Sequence, residues 1–353
     1  MISNCDSLKF ETWNLKDNPK YLKWMLAVVG LLALLFFSVA LSMTSGELKI
    51  SLTDAVKMLF GNGDSRSIEY MLVRQVRLPR IILGLAVGGS LSLAGVILQG
   101  IYRNPLVEPF TLGISGGASL GVAITIVFGL HLSLGSFVLP LSGFLGAFLI
   151  IFLVYTISSR SGSINIQRML LTGVMVSFVA SSAMMFLMSV STSENLHGII
   201  FWIMGSLDEP DTFLIWFTLI SSLVVLALSY LFVQALNALR LGEEKALHLG
   251  INTNVAVRVL FLLASLLAGI CVSVAGVIGF VGLIIPHLLR IIFGSDYRIL
   301  LVSSFLLGGS FLIVSDVVAR TIIAPNELPI GVITGIIGGV VFILMMSRKK
   351  TLV

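Results

Sequence analysis

An all-α, polytopic membrane protein with about ten spans is the fold class that three features of the sequence predict. Hydrophobic residues make up 57% of the 353 residues and charged residues only 11%, whereas a soluble domain carries roughly a quarter charged residues. The mean hydropathy is +1.07. Apolar runs close to the ~20 residues needed to cross the hydrocarbon core follow one another along almost the whole chain, with short polar breaks between them.

Taken in order, the spans fall at about 24–43, 81–101, 111–129, 137–157, 169–190, 213–235, 257–275, 277–293, 299–319 and 328–347. Residues 24–347 therefore read as one membrane domain, flanked by polar tails at 1–23 and 348–353. The first 23 residues are too long and too acidic for the basic leader of a cleaved signal peptide, so span one reads as retained. An even number of spans puts both termini on one side. That side collects 15 of the 22 lysines and arginines, and the excess makes it cytoplasmic.

Segment 44–80 is then an outer loop, and it is the exception to the charge rule: Lys49, Lys57, Arg66, Arg74, Arg77 and Arg80 all lie in it. Within it SLTDAVKMLF (51–60) has the N-cap and periodicity of a short amphipathic helix on the outer surface. Glycines at 84 and 88, and at 117 and 121, give small-xxx-small faces on which helices approach closely. Asn104-Pro105 and Glu108-Pro109 break the chain between spans two and three. Span five carries Met184, Met185 and Met188, a stripe that reads either as packing or as pathway lining. Loop 191–212 is acidic with no Lys or Arg, and its apolar middle (196–206) reads as a short helix dipping back into the membrane or as a solvated loop.

Between spans six and seven lies LRLGEEKALHLGIN (239–252), the one long charged segment in the second half. Gly242 and Gly250 are natural turn points. Between them Glu243, Glu244 and Lys245 precede an apolar set of Ala246, Leu247 and Leu249, which suits a short amphipathic helix laid against another protein or a solvated loop. A faint internal echo, SLAGVI (92–97) with SVAGVI (273–278) and LSGFLGAFLI (141–150) with SSFLLGGSFLI (303–313), has the character of an inverted transporter repeat.

Several chemistries are missing. No GxxxxGK[ST], GxSxG or HExxH occurs, so no nucleotide-hydrolysing or hydrolase motif is visible. Four scattered histidines and two cysteines, Cys5 and Cys271, form no metal-ligand spacing. No enzymatic activity, cofactor or bound metal is expected, and the net charge of +5 reports membrane orientation and not nucleic acid. Inside the spans the chief ionisable residue is Asp316, one turn before Arg320, an i,i+4 pair able to satisfy itself. An ion-coupled secondary transporter is the alternative reading, but it needs buried carboxylates or histidines to carry protons, and the spans offer no such relay. A membrane-embedded enzyme would need facing polar groups at one depth.

RLPR (77–80), a Gly-rich span, NPLVEP (104–109) and LGISGGASLG (112–121) together resemble the FecCD-type permeases, the membrane subunits of binding-protein-dependent ABC importers for ferric siderophores, haem and vitamin B12. The likeness continues through GFVGLIIPHLLR (279–290), VAR (318–320) and ELPIGVITG (327–335). The resemblance implies a homodimer in the lipid of the inner membrane, with a pathway at the dimer axis. ABC ATPase subunits would lie on the cytoplasmic side and a solute-binding protein on the other. It assigns 239–252, with Glu243 and Glu244, as the coupling loop to a groove of the ATPase, where Ala246, Leu247 and Leu249 are expected to be the buried contacts while Gly242 and Gly250 set the loop's shape. It assigns Arg77, Arg80 and Arg320 as sockets for acidic residues of the binding protein, a role that suits the planar fork of arginine. Asn104, Pro105 and Leu106, with Asn165 in the next cytoplasmic turn, are expected to narrow the exit, and Met184 and Met188 to border the pathway.

Overall fold

The computed structural model describes residues 19–347 apart from 47, 62–65, 136, 160–165 and 210. Asn165, most of the amino-terminal tail and residues 348–353 therefore lie outside the described residues. Ten helices match the expected spans: α1 (Pro19–Thr44), α2 (Leu78–Tyr102), α3 (Ile114–Val127), α4 (Val138–Ser158), α5 (Ile166–Ser189), α6 (Thr212–Leu231), α7 (Thr253–Ala275), α8 (Val281–Phe293), α9 (Tyr297–Thr321) and α10 (Ile330–Ser347). Seven are long and apolar enough to cross a membrane, and α3, α8 and α10 are shorter apolar helices. No strand occurs among the described residues.

The caps that start these helices are local and readable. Asp211 accepts from the amide of Phe213, Asn252 from Val255 and Asp296 from Arg298, each satisfying an amide that the first turn leaves without a partner. Ser51 caps the helix Leu52–Leu59 through the amide of Asp54, as its sequence predicts. Segment 44–80 is less of a loop than expected. Ile68–Met71 is helical, and a π-helical turn at Leu72–Arg77 runs directly into α2. Pro79 has no amide to give, and a widened turn before it lets the chain stay helical through the proline.

The centre of the molecule is α2. In its most apolar window 89% of residues are buried, against 17% for α1 and 11% for α5. Its glycines explain this. A Cβ on Gly88 would collide with the carbonyl of Gly308 in α9, one on Gly308 with the carbonyl of Gly88, and one on Gly95 with the carbonyl of Gly282 in α8. The backbones of three helices thus touch with no side chain between them. A second bundle repeats the device: Gly117 of α3 meets Gly146 of α4, and Gly121 meets the Ser142 carbonyl. In hydrocarbon, close packing has to do what water exclusion does in a soluble core, and small residues permit it.

The internal echo agrees with this arrangement. SLAGVI lies in α2 and SVAGVI runs from the end of α7 into the break before α8, while the other pair lies in α4 and α9. Both pairs are five helices apart, an odd offset that inverts direction, and the short α3 corresponds to the short α8. The apolar middle of loop 191–212 is helical, Ser193–Met204, capped by Thr192. After it Gly205 turns with φ +78°, and Ser206 donates to the Ala275 carbonyl while Gly205 accepts from Ile330. The segment is thereby tied to the α7–α8 break and to α10.

Gly88→Val should therefore drive α2 from α9 and cost about 1–3 kcal/mol by overpacking, seen as early loss of the monodisperse peak on heating in detergent. Gly30→Val, on an α1 face with nothing within 4 Å of an added Cβ, should behave as wild type. Equal melting of the two variants would contradict the crossing.

Candidate functional site

At the first end of α2 three arginines converge. Arg77 and Arg80 are one turn apart on the continuous helix, and Arg320 comes from the end of α9. All three are buried, at 1%, 6% and 9% exposure, and each is engaged. Arg77 donates to the carbonyls of Met43 and Leu48, which ties the exit of α1 to α2. Arg80 lies 2.8 Å from Glu327, 3.3 Å from Asp208 and 3.9 Å from Asp316. Arg320 lies 2.8 Å from Asp316 and donates to Ser42 at 3.0 Å.

Two guanidiniums, Arg80 and Arg320, therefore meet three carboxylates, and Arg77 is answered by backbone carbonyls, which is how buried charge is tolerated. The i,i+4 pair of Asp316 with Arg320 is present as expected. The basic segment 44–80 has counter-charge in the acidic loop and in the ELPIG motif, through Asp208 and Glu327 on Arg80. Sequence reading missed both partners, although the acidic loop without a single Lys or Arg was the signal. One expectation needs correcting. The three arginines do not stand free at the surface, and the two terminal nitrogens of Arg77 are turned to backbone carbonyls. The exposed members of the cluster are the acids, with side chains 73% exposed for Asp208 and 50% for Glu327.

At the other end, helix Val233–Leu239 turns through Gly242 (φ +111°) into helix Glu243–His248, and Gly250 (φ +78°) turns the chain towards α7. Both glycines hold backbone angles that L side chains rarely adopt. Ala246 points into the subunit's own core at 0% exposure, while Leu247 and Leu249 stand 53% and 62% exposed beside the exposed Glu243, Glu244 and Lys245. Ala246 is thus not part of an outward contact: it seats the short helix on the bundle, because the i,i+1 neighbours of a helix point to different faces.

Asn104 builds the turn after α2, its side chain accepting from the Leu106 amide at 2.9 Å and its carbonyl from Val107. Pro105 and Leu106 are exposed there. Met184 and Met188 pack with Val122, Ala123, Ile126 and Ile199, so they fill space between α5, α3 and the short helix 193–204. The free methionine of the stripe is Met185.

Between the ends, α8 carries Pro286 inside the helix, which leaves the Gly282 carbonyl four residues earlier without its amide. Gln99 of α2 supplies the missing donor at 3.1 Å, and Arg290, one turn after Pro286, donates to the Gln99 carbonyl oxygen. The same break is held from its other side by Glu108, which accepts from the amide of Phe280, the residue that precedes α8.

A pillar helix in a ten-helix, repeat-built bundle, with a charged network at one end and a capped, leucine-bearing turn at the other, is the architecture of a multi-pass membrane permease. The FecCD transport family profile matches residues 34–348, and the chain belongs to that family. It is 39% identical over 281 residues to the hemin transport system permease HmuU of Yersinia pestis, covering 78% of this chain and 83% of that protein. To the iron(3+)-hydroxamate import permease FhuG of Bacillus subtilis it is 33% identical, covering 92% and 97%. To the vitamin B12 import permease BtuC of Klebsiella pneumoniae it is 37% identical, covering 79% and 83%. A solved metal-chelate type ABC transporter in an inward-facing conformation superposes with a TM-score of 0.79 at 31% identity, covering 92% of this chain and 99% of that one.

Gln99→Leu should leave the Gly282 carbonyl without its donor and Arg290 without its amide acceptor, and cost about 1–3 kcal/mol, read as thermal stability in detergent. Adding Pro286→Ala restores an amide to the Gly282 carbonyl and should recover part of the loss. Additive losses in the double variant would contradict the assignment.

Proposed function

We propose that this permease is the membrane subunit of a binding-protein-dependent importer that carries a metal chelate, a ferric siderophore first and haem or cobalamin next, into the cytoplasm across the inner membrane. The observation that carries the proposal is the segment 239–252 in a chain of this family. Two large leucines are held out from a helix fixed by Ala246 and by two positive-φ glycines. Exposed leucines beside charged residues mark a protein contact, and the partner proposed here is the cytoplasmic ABC ATPase. Its closure on nucleotide would push on 243–248 and so on α7. Two permease copies would form the pathway at their shared axis, with Asn104–Leu106 and Asn165 at the exit and both termini cytoplasmic.

At the opposite end the solute-binding protein would dock over the arginine cluster. Its carboxylates would compete with Glu327 and Asp208 for Arg80, and Arg320 would support the site through Asp316. Arg77 would act from beneath, by holding the exit of α1. Exposed pairs of this kind contribute only about 0.2–1 kcal/mol each, so docking should be salt-sensitive and guided by charge more than held by it.

Leu247→Asp should loosen the ATPase or uncouple its hydrolysis from uptake, since a buried leucine is worth about 1.5–3 kcal/mol. Normal uptake with stoichiometric co-purification would remove 239–252 from the coupling role. For the other end, Arg80→Gln combined with Glu327→Gln removes one positive and one negative charge, so the net charge of the cluster is kept and only the exposed Asp208 loses its cation. The pair should assemble normally and keep basal ATPase, yet lose binding-protein stimulation and uptake. Stimulation at wild-type level would place the docking sockets elsewhere.

A further inference from the structure

The two ends of α2 treat positive charge differently. At the Arg80 end every guanidinium is answered by a carboxylate or a carbonyl. At the other end Arg103, Arg240 and Arg290 line a cleft of about 980 Å³ with His287, Gln99 and Tyr297, and no carboxylate is among the lining residues. None of the three arginines makes an ion pair among the described residues. Arg240 donates to the Ser295 carbonyl at 2.7 Å, and Arg290 to Gln99, with the neutral Tyr297 hydroxyl also against Arg290. Arg103 sits in the left-handed region (φ +51°) at the end of α2, exposed and near Gly242.

Asp296, six residues after Arg290, does not answer them. It is committed to Lys20 at 3.2 Å, to Asn237 at 3.2 Å and to the amide of Arg298 that it caps. Burial would raise its pKa, but the Arg298 amide, Lys20 and Asn237 outweigh burial and hold the carboxyl below its usual range. Glu243 and Glu244 are exposed on the neighbouring short helix and pair with none of the three. The rest of the cleft wall is mixed, with Asn104 and Ser295 polar and Leu288, Ile291 and Met345 forming an apolar side, of which Ile291 is exposed.

Three convergent guanidiniums with no internal counter-charge are built for an oxyanion, and the planar forks suit phosphate. A charged floor flanked by apolar side chains at a helix end is the composition of a lipid headgroup pocket. We propose that the cleft between Arg103, Arg240 and Arg290 binds a phosphate-bearing anion, and that its source is an anionic phospholipid whose acyl chains lie along Leu288, Ile291 and Met345. This is independent of which cargo the permease carries.

The test is lipid retention by the delipidated full-length protein, read by native mass spectrometry with phosphatidylglycerol against phosphatidylcholine. Phosphatidylglycerol should be preferred. Arg103→Gln and Arg240→Gln should each weaken it roughly fivefold and the double variant more, while Arg298→Gln, exposed but outside the cleft, should leave it unchanged. Arg290 is left in place because it holds Gln99. Equal retention of the two lipids, or the same loss from Arg298→Gln, would overturn the site. If inorganic phosphate occupies the lipid-free protein and is lost with the same variants while phosphatidylglycerol shows no preference, the lipid source is overturned.

Discussion

Everything in this permease is arranged around the contact of bare backbones on α2. Gly88 against Gly308 and Gly95 against Gly282 leave no room for a Cβ, so α9 and α8 lie on α2 at the shortest distance that helices allow. Lipid tails are as apolar as leucine, and apolar side chains alone give helices no preference for one another. The glycine faces supply that preference through close packing. They also make α2 a stiff element with its surface committed almost throughout.

That stiffness has a functional consequence. A helix of 25 residues is about 37 Å long, enough to join the two surfaces of a membrane. Arg80 stands at one end and Arg103 at the other, and each end organises a polar site of opposite design. The Arg80 network is neutral inside and lends its exposed acids to the surface. The Arg103 cleft keeps its charge uncompensated. Between them α8 is stitched to α2 by Gln99 at the carbonyl its proline frees and to the α2–α3 turn by Glu108 at its start.

Much of the fold was legible in the sequence because its determinants are local. Ten apolar runs became ten helices, with boundaries off by a few residues; the Ser51 cap and the turn glycines Gly242 and Gly250 act on their immediate neighbours. The small-residue faces were legible too, since a Gly-xxx-Gly repeat carries its own consequence. What escaped were pairings between distant segments. Nothing near Arg80 announces Glu327 or Asp208, because the three meet only when α2, α9 and the loop after the helix 193–204 have packed. Ala246 was misjudged for the same reason. A six-residue helix offers too little periodicity to say which face the bundle takes. The methionine stripe shows that residue type alone does not separate packing from pathway lining.

The central claim is that the Glu327 and Leu247 surfaces lie on opposite sides of the membrane, joined by α2. Single cysteines at 327 and 247 test it most directly. They would be placed in a Cys5→Ser background with the buried Cys271 retained, and labelled in intact right-side-out cells with a membrane-impermeant maleimide. The account predicts that the cysteine at 327 reacts from outside and the one at 247 only after permeabilisation. Labelling of both positions from the same side would contradict it.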